Sequence, residues 1–383
     1  MLFSCRNAPI AMLKVLLILA TFVSITVLFY TTFAPDREVQ PTSYSTTPPE
    51  AITLSAPWLR FFSAFSFTLP VLIVDGDLLR SIVLGASPEE NLARKLLVAV
   101  DEKYRGVTVS EDDDKLSVVY YSKTRTERDY WLFEMGGNET RAMLPFDLYS
   151  SSHLFLPSDI RTFLDDWKFA RFIECNVLLE RNSTEKRTIP LSFMRNLAEL
   201  RDFIKGRRAR LTLAGGTLLG WFRECSLIPH TTDIDFFIRA EEYSPSIRAD
   251  LDARQSPYKL FRIYGTPSDS YELSINVKRA QEVNIDLFFL YTTANESFVG
   301  GLAWYTRKKY KWSYPRITSL CTADLLGRLF YVPCNTKEVL DMEYGNWQKD
   351  SPSSDFVWYK SHRNVAENGF FTKEEMKQMR AFG

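Results

Sequence analysis

The sequence predicts an α+β fold of two domains, preceded by one membrane helix and a short stem. Three observations lead to this prediction: an uncharged apolar run at residues 15–33, alternating strand-like and helix-like segments after residue 50, and a glycine pair followed by an Asp-x-Asp strand in the second half. A chain of 383 residues is long for a single domain. Lysine plus arginine equals aspartate plus glutamate at 47 each, so net charge gives no sign of a nucleic-acid partner, and we expect none.

The apolar run at 15–33 is long enough to cross a membrane, since at about 1.5 Å per helical residue it spans roughly 28 Å. Arg6 and Lys14 precede the run and Asp36 follows it. Because positive charge stays on the cytosolic side, we expect residues 1–14 to be cytosolic and the rest of the chain to be lumenal. A cleaved signal peptide is the alternative, but its apolar region is usually shorter and ends at a small-residue cleavage site, which we do not find here.

Sequons and cysteines indicate that the part of the chain after the membrane helix is lumenal. Three N-glycosylation sequons follow the membrane helix, at Asn138, Asn182 and Asn295. Four of the five cysteines also follow it: Cys175, Cys225, Cys321 and Cys334. An oxidising lumen permits disulfides, and the sequence alone leaves three complete pairings of four cysteines open.

The segment before the second domain divides into a stem and a first domain. Residues 34–50 are rich in Pro, Ser and Thr and are predicted to form the stem. Residues 51–185 are predicted to form a lumenal α/β domain without evident chemistry. Residues 69–75 and 115–122 are apolar strand candidates, and residues 87–100, with a serine cap and an acidic first turn, are predicted as a helix.

The second domain is predicted over residues 186–383. It opens with a helix whose apolar positions recur at helical spacing: Phe193, Leu197, Leu200 and Ile204. A short strand and the glycine pair follow. Two more apolar strands are predicted at 233–238 and 283–291.

Asp233 and Asp235 lie in one of these apolar strands, Asp-Ile-Asp-Phe-Phe-Ile. Side chains alternate along a strand, so both aspartates share one face, near enough for their carboxylates to converge on one ion. Unpaired buried carboxylates are unfavourable, and Mg²⁺ or Mn²⁺ would relieve this. Asp286, in the other strand, is predicted to complete the metal site or to accept a proton. A surface strand for the pair and an ion-pair role for Asp286 are the alternatives.

The glycine pair precedes this strand and indicates a phosphate site. Gly215 and Gly216 lack Cβ atoms, so a phosphate can approach their backbone. Thr217 begins a helix whose N-terminal amides favour anions. We predict that these three residues bind the phosphates of a donor and that Arg223 stabilises charge on them, a surface helix arginine being the alternative. Strand, glycine pair, helix and Asp-x-Asp strand is the layout of nucleotidyltransferase folds of the polymerase-β type.

Two blocks of the chain resemble the LicD/fukutin family of phosphotransferases. They are GGTLLGWFRECSLIPHTTDIDFFI at 215–238 and FYVPCNTKEVLDMEYGNW at 330–347. The membrane helix, the stem and the first domain favour the fukutin branch of the family. Family members often carry extra acidic residues just before the aspartate pair. Thr231 and Thr232 stand there in this chain, so any role of those acids does not carry over.

The resemblance implies the metal-dependent transfer of a phosphopolyol from a CDP donor to a glycan hydroxyl in protein O-glycosylation, with release of CMP. For the fukutin branch the group is ribitol 5-phosphate and the acceptor is an O-mannosyl glycan. The resemblance also implies Mg²⁺ or Mn²⁺ as cofactor and a single-pass type II protein of the Golgi membrane, the endoplasmic reticulum being the alternative. Other Golgi glycosylation enzymes would be its partners.

A basic and aromatic segment at 303–316 is a candidate for contacts with the donor or the glycan. Its candidate residues are Arg307, Lys309, Lys311 and Trp312. Cationic side chains suit phosphate, and aromatic rings suit sugars. A solvated basic loop over an aromatic core is the alternative.

Two other functions share parts of this pattern. A glycosyltransferase of the GT-A fold also uses Asp-x-Asp with a metal, but it transfers a sugar and leaves a nucleoside diphosphate. A non-catalytic Golgi protein could retain the fold and assist a partner enzyme. Intact Asp233, Asp235 and Asp286 count against this second alternative.

Cys321 and Cys334 flank the start of the second block, with an apolar, helix-like segment at 322–333 between them. In an oxidising lumen we predict that they form a disulfide that closes a short loop beside the donor site. Two buried free thiols are the alternative. Cys175 and Cys225 would then be free or paired with each other.

The predicted topology can be tested in sealed microsomes. Protease should spare nearly the whole chain, because only the short segment before the membrane helix is exposed to the cytosol. Glycosidase should lower the mass of the chain, because at least one sequon is glycosylated in the lumen. Digestion of the body of the chain without detergent would contradict the lumenal assignment.

Overall fold

Two β-sheets with helices packed on them form the part of the chain that the computed structural model describes, residues 54–88, 94–111, 113–124, 126–179, 185–350 and 357–381. This architecture confirms the α+β class. The predicted cytosolic segment, membrane helix and stem, at 1–14, 15–33 and 34–50, lie outside the described residues. Within those residues, no helix combines the length and the apolar character needed to cross a membrane.

The first sheet has seven strands in the order β5-β4-β3-β2-β1-β7-β6. The strands are β1 (Val71–Ile73), β2 (Leu96–Asp101), β3 (Leu116–Ser122), β4 (Trp131–Gly136), β5 (Glu139–Met143), β6 (Leu148–Ser151) and β7 (Leu154–Pro157). The helices of this region are α1 (Ala56–Ser63), α2 (Gly76–Leu84) and α3 (Ile160–Trp167). The strands predicted at 69–75 and 115–122 correspond to β1 and β3.

The helix predicted over 87–100 is wrong in its second half, where the structure has β2. This strand pairs antiparallel with β1 and parallel with β3. Val98, Ala99 and Val100 are completely buried. Apolar residues that follow one another without interruption show no helical spacing. Such a run is typical of a strand that is buried on both faces.

The second sheet has ten strands. Eight follow the order β15-β16-β8-β9-β12-β13-β14-β17, while β11 also pairs with β12, and β10 pairs with β11. The strands are β8 (Thr212–Leu213), β9 (Asp233–Arg239), β10 (Tyr258–Thr266), β11 (Asp269–Val277), β12 (Asn284–Thr292), β13 (Ser297–Ala303), β14 (Lys308–Tyr314), β15 (Leu320–Leu325), β16 (Arg328–Pro333) and β17 (Val365–Phe370). The predicted strands at 233–238 and 283–291 are β9 and β12.

Five helices accompany the second sheet among the described residues: α4 (Met194–Lys205), α5 (Gly215–Glu224), α6 (Pro245–Asp252), α7 (Thr336–Glu343) and α8 (Lys373–Met376). The apolar stripe predicted for α4 faces the core, since Phe193, Leu197, Leu200 and Ile204 are all buried. Helix α5 follows β8 directly and leads to β9. The site elements are therefore consecutive in the chain and neighbours in space.

A short segment at 170–173 joins the edges of the two sheets. Arg171 bridges to Arg141 of β5, and Phe172 bridges to Thr322 of β15. The Thr322 hydroxyl donates to the carbonyl oxygen of Ala170 at 3.1 Å. Backbone contacts thus run from one sheet to the other, and a domain boundary between residues 185 and 186 stays a prediction.

Two sequon asparagines lie on exposed turns. Asn138 is in the turn between β4 and β5, and Asn295 is in the turn between β12 and β13. Asn182 lies outside the described residues. The positions of Asn138 and Asn295 are compatible with glycosylation, which stays a prediction.

The structure contains the predicted Cys321–Cys334 disulfide and a second one between Cys175 and Cys225. The Cα atoms of Cys321 and Cys334 are 5.0 Å apart. The helix-like prediction for 322–333 is wrong, because these residues form the hairpin of β15 and β16. Leu326 and Gly327 turn the hairpin with positive φ angles of 55° and 80°, as two-residue hairpin loops require.

Removal of either disulfide should destabilise the fold, and the two losses should differ. The cysteines are 13 residues apart in one disulfide and 50 in the other. Loop-closure entropy then predicts losses of about 3 and about 4 kcal/mol, because the longer loop gains more freedom in the unfolded chain. Urea unfolding of the two double Cys→Ser variants measures this. Unchanged stability of both variants would contradict a structural role for the disulfides.

Candidate functional site

Three aspartates meet where β9 runs parallel to β12. In this pairing Asp235 lies opposite Asp286, and Asp233 lies opposite Asn284. Because alternate residues of a strand share a face, all three carboxylates project to the same side. One carboxylate oxygen from each lies within 4.8 Å of the others. The structure therefore brings together the three residues that the sequence singles out.

Burial and mutual repulsion act on this cluster. Burial, and next the charges of Asp233 and Asp286, raise the pKa of Asp235 well above its usual range. Burial and the charge of Asp286 also raise the pKa of Asp233. A positive charge placed among such carboxylates favours their ionised forms. An oxygen-only set of this kind, without His or Cys, fits a hard cation such as Mg²⁺ or Mn²⁺.

The N-terminus of α5 packs directly on Asp235. The Ala214 backbone N–H donates to the Asp235 carbonyl oxygen at 3.1 Å, and the Thr217 hydroxyl accepts from the Asp235 N–H at 3.0 Å. Gly215 has φ +47°, and a Cβ there would lie 2.6 Å from Oδ2 of Asp235. Glycine is therefore required at 215, and the Thr217 side chain serves to hold β9.

Gly216 is the glycine left open for a ligand. A Cβ at this position would meet nothing within 4 Å, and its N–H donates to the Asp235 carboxylate. Both glycines line the cavity that contains the aspartates. The first amides of a helix carry partial positive charge, so this end of α5 offers an anion a place beside the carboxylates.

The cavity has a volume of about 930 Å³. The aspartates and the glycines form part of its lining. Five aromatic side chains also line it: Trp312, Tyr314, Tyr344, Trp347 and Trp358. A cavity of this size accepts a ligand as large as a nucleotide conjugate.

Arg262 of β10 is a site residue that the sequence analysis missed. Its guanidinium lies 2.8 Å from Asp286 and 2.8 Å from Glu272, and its Nε donates to the Ser274 hydroxyl at 2.7 Å. Burial raises the pKa of Glu272 to about 7. The available signal was a charged residue in an apolar strand, as it was for Asp286. The sequence did not indicate which strands would lie beside it.

Arg223 lines the cavity, but its guanidinium already has several partners. It contacts the Glu224 carboxylate and donates to the carbonyl oxygens of Trp347 at 3.1 Å and Lys349 at 3.3 Å. It is 2 % exposed. The alternative of a surface helix arginine is therefore wrong, and the predicted role of Arg223 at the donor phosphates stays a prediction. Its contacts fix the segment after α7 to α5.

The basic segment presents its two kinds of side chain to opposite faces of β14. Trp312 lines the cavity and donates from Nε1 to Nδ1 of His362 at 2.9 Å. Lys309 and Lys311 alternate with it and pair on the other face, with Asp269 and Glu296. Arg307 is exposed in the turn before β14 and is absent from the cavity wall. Of these four candidates, the structure brings only Trp312 to the described cavity.

Two protein families match separate parts of the chain. Residues 57–174 match the family described as W02B3.4-like, N-terminal domain. Residues 208–335 match LicD/FKTN/FKRP, nucleotidyltransferase domain. The second range contains α5, β9 and β12, and with them the glycine pair and all three aspartates.

Similar proteins match between 59% and 83% of this chain. The uncharacterized protein W02B3.4 of Caenorhabditis elegans is 35% identical over 330 residues, which are 83% of each chain. The ribitol-5-phosphate transferase FKTN of Mus musculus is 30% identical over 235 residues, and that of Homo sapiens is 29% identical over 239. These matches cover 59% of this chain and half of each FKTN chain. With the matched domain and the similarity along most of a relative, the chain belongs to the LicD/fukutin family.

Proposed function

We propose that this chain is a metal-dependent phosphotransferase that moves a phosphopolyol, ribitol 5-phosphate in the first instance, from a CDP donor to a glycan hydroxyl. The observation that carries the proposal is the meeting of three carboxylates with the N-terminus of α5 in one cavity. The FKTN relatives, named as ribitol-5-phosphate transferases, support the choice of group.

The three aspartates would hold Mg²⁺ or Mn²⁺ in this reaction. Their spacing within 4.8 Å and the raised pKa values of Asp233 and Asp235 support a cation there. When bound, the ion would neutralise charge on the donor diphosphate. Asp286, whose carboxylate lies 2.8 Å from the Arg262 guanidinium, would complete the metal site or accept the proton of the acceptor hydroxyl.

The donor diphosphate would lie at the start of α5. The Gly216 backbone faces the cavity there, and Arg262 supplies a guanidinium beside the aspartates. The acceptor hydroxyl would attack the phosphorus next to the polyol. A new P–O bond forms to the acceptor oxygen, whose proton passes to a carboxylate of the site or to water, while the bond to the CMP phosphate breaks and CMP leaves. Positioning and charge neutralisation account for catalysis of this kind.

The Golgi lumen is the compartment we propose for this reaction, with other glycosylation enzymes as partners. The apolar run at 15–33 supports a membrane anchor. Two disulfides and two exposed sequon asparagines support an oxidising lumen. The alternative of a GT-A glycosyltransferase differs in product, since such an enzyme would leave a nucleoside diphosphate.

Incubation of the protein with Mn²⁺, an O-mannosyl glycopeptide and CDP-ribitol, CDP-glycerol or CDP-choline tests the proposal. We expect CMP from CDP-ribitol, and the loss of this product after chelation of the metal. Asp235→Asn should lower the rate by at least about 1,000-fold while leaving the melting temperature unchanged or higher, because a ligand is lost and carboxylate repulsion falls.

Asp77→Asn is the matched control, since it makes the same chemical change at an exposed position of helix α2, outside the cavity wall. It should leave CMP release unchanged. No CMP from any donor would overturn the proposed function. Normal turnover by Asp235→Asn would overturn the metal site. In a parallel assay with nucleotide sugars as donors, release of a nucleoside diphosphate would favour a glycosyltransferase.

A further inference from the structure

Glu343, the last residue of α7, places a buried carboxyl group in the wall of the cavity. Its side chain is 2 % exposed. Within the described part of the chain, its Oε2 atom is buried and has no hydrogen-bond partner. Buried polar atoms are nearly always hydrogen-bonded, so an orphaned oxygen in a cavity wall indicates a bond that a ligand completes.

Polar side chains lie beside the carboxyl group of Glu343. Oε1 lies 3.3 Å from Nδ1 of His362, which in turn accepts from Nε1 of Trp312. The Tyr314 hydroxyl also donates to the carboxyl. Side chains from β14 and from residue 362 therefore orient Glu343, and its free oxygen has a defined position before any ligand arrives.

The surroundings of Glu343 are suited to a neutral partner rather than a cation. Among the described residues it makes no ion pair with lysine or arginine. Burial raises the pKa of Glu343 to about 8 and lowers the pKa of His362 to about 4. A neutral carboxyl both donates and accepts, as an alcohol hydroxyl does, whereas a quaternary ammonium can do neither.

We propose that Glu343 hydrogen-bonds an alcohol hydroxyl of the substrate and so selects polyhydroxylated groups in this cavity. The proposal rests on the proposed function and deepens it. Two sources supply such a hydroxyl: the polyol of the donor and the sugar of the acceptor. A site built to bond a hydroxyl discriminates strongly against analogues that lack it, because its own buried group is then left unpaired.

Glu343→Met tests the proposal, since it keeps the length of the side chain and removes its hydrogen bonding. Calorimetric titration with CDP-ribitol and with CDP, both with Mn²⁺, measures donor binding, and CMP release measures the acceptor KM. We expect about a 10-fold or larger loss in affinity for CDP-ribitol or in acceptor KM, with CDP affinity within about 2-fold of wild type.

Glu343→Gln, which still donates and accepts, should stay within about 3-fold of wild type. If the methionine variant does not fold, Glu343→Asp withdraws the carboxyl by one methylene and should show the same loss. Glu242→Gln is the control, because Glu242 is equally polar and largely buried, but pairs with Arg210 outside the cavity wall. It should leave all three measurements unchanged.

The outcomes distinguish the donor polyol from the acceptor sugar as the source of the hydroxyl. They also distinguish a failure of the Glu343 proposal from a failure of the proposed function. Loss of CDP-ribitol affinity alone supports the donor polyol as the source, and a raised acceptor KM with intact donor binding supports the acceptor sugar. Equal weakening of CDP and CDP-ribitol, or no change in either measurement, would overturn the role of Glu343. A wild-type chain that binds neither cytidine compound would overturn the proposed function and this inference with it.

Discussion

Parallel pairing of β9 with β12 is the contact on which the site depends, because it sets Asp235 opposite Asp286. The other face of β9 fixes this register, since Ile234, Phe236 and Ile238 are completely buried. A slip of one residue would turn those side chains outward and the aspartates into the core. The apolar half of the strand therefore determines where the carboxylates lie, and the packing of the sheet is the reason that three acids converge.

Convergence of like charges is unfavourable, and several local contacts reduce it. Arg262 lies between Asp286 and Glu272, the Gly216 N–H donates to Asp235, and the Thr231 hydroxyl donates to Asp233 at 3.3 Å. These contacts leave the pKa values of Asp233 and Asp235 raised. A carboxyl whose pKa rises on folding favours the folded state less as pH increases, so without a cation the site destabilises the fold near neutral pH. A bound cation would reverse this, which couples stability to function.

Much of the site could be predicted from the sequence because aspartates are unusual in apolar strands. Side chains alternate between the two faces of a strand, so the spacing of the aspartates shows that they share a face. The same alternation separates Trp312 from Lys309 and Lys311, so their opposite faces could also have been foreseen. Arg262 and Glu343 could not, since their roles come from contacts between elements distant in the chain. The helices predicted within 87–100 and 322–333 failed for a related reason: pairing with neighbouring strands decided the structure of apolar runs that have no clear period.

Anomalous diffraction from crystals grown with Mn²⁺ and CDP tests the central claim most directly. We predict a manganese peak bonded at about 2 Å to carboxylate oxygens of Asp233, Asp235 and Asp286, with the diphosphate against the start of α5. A peak at another place, or a diphosphate bound away from the aspartates, would contradict the account.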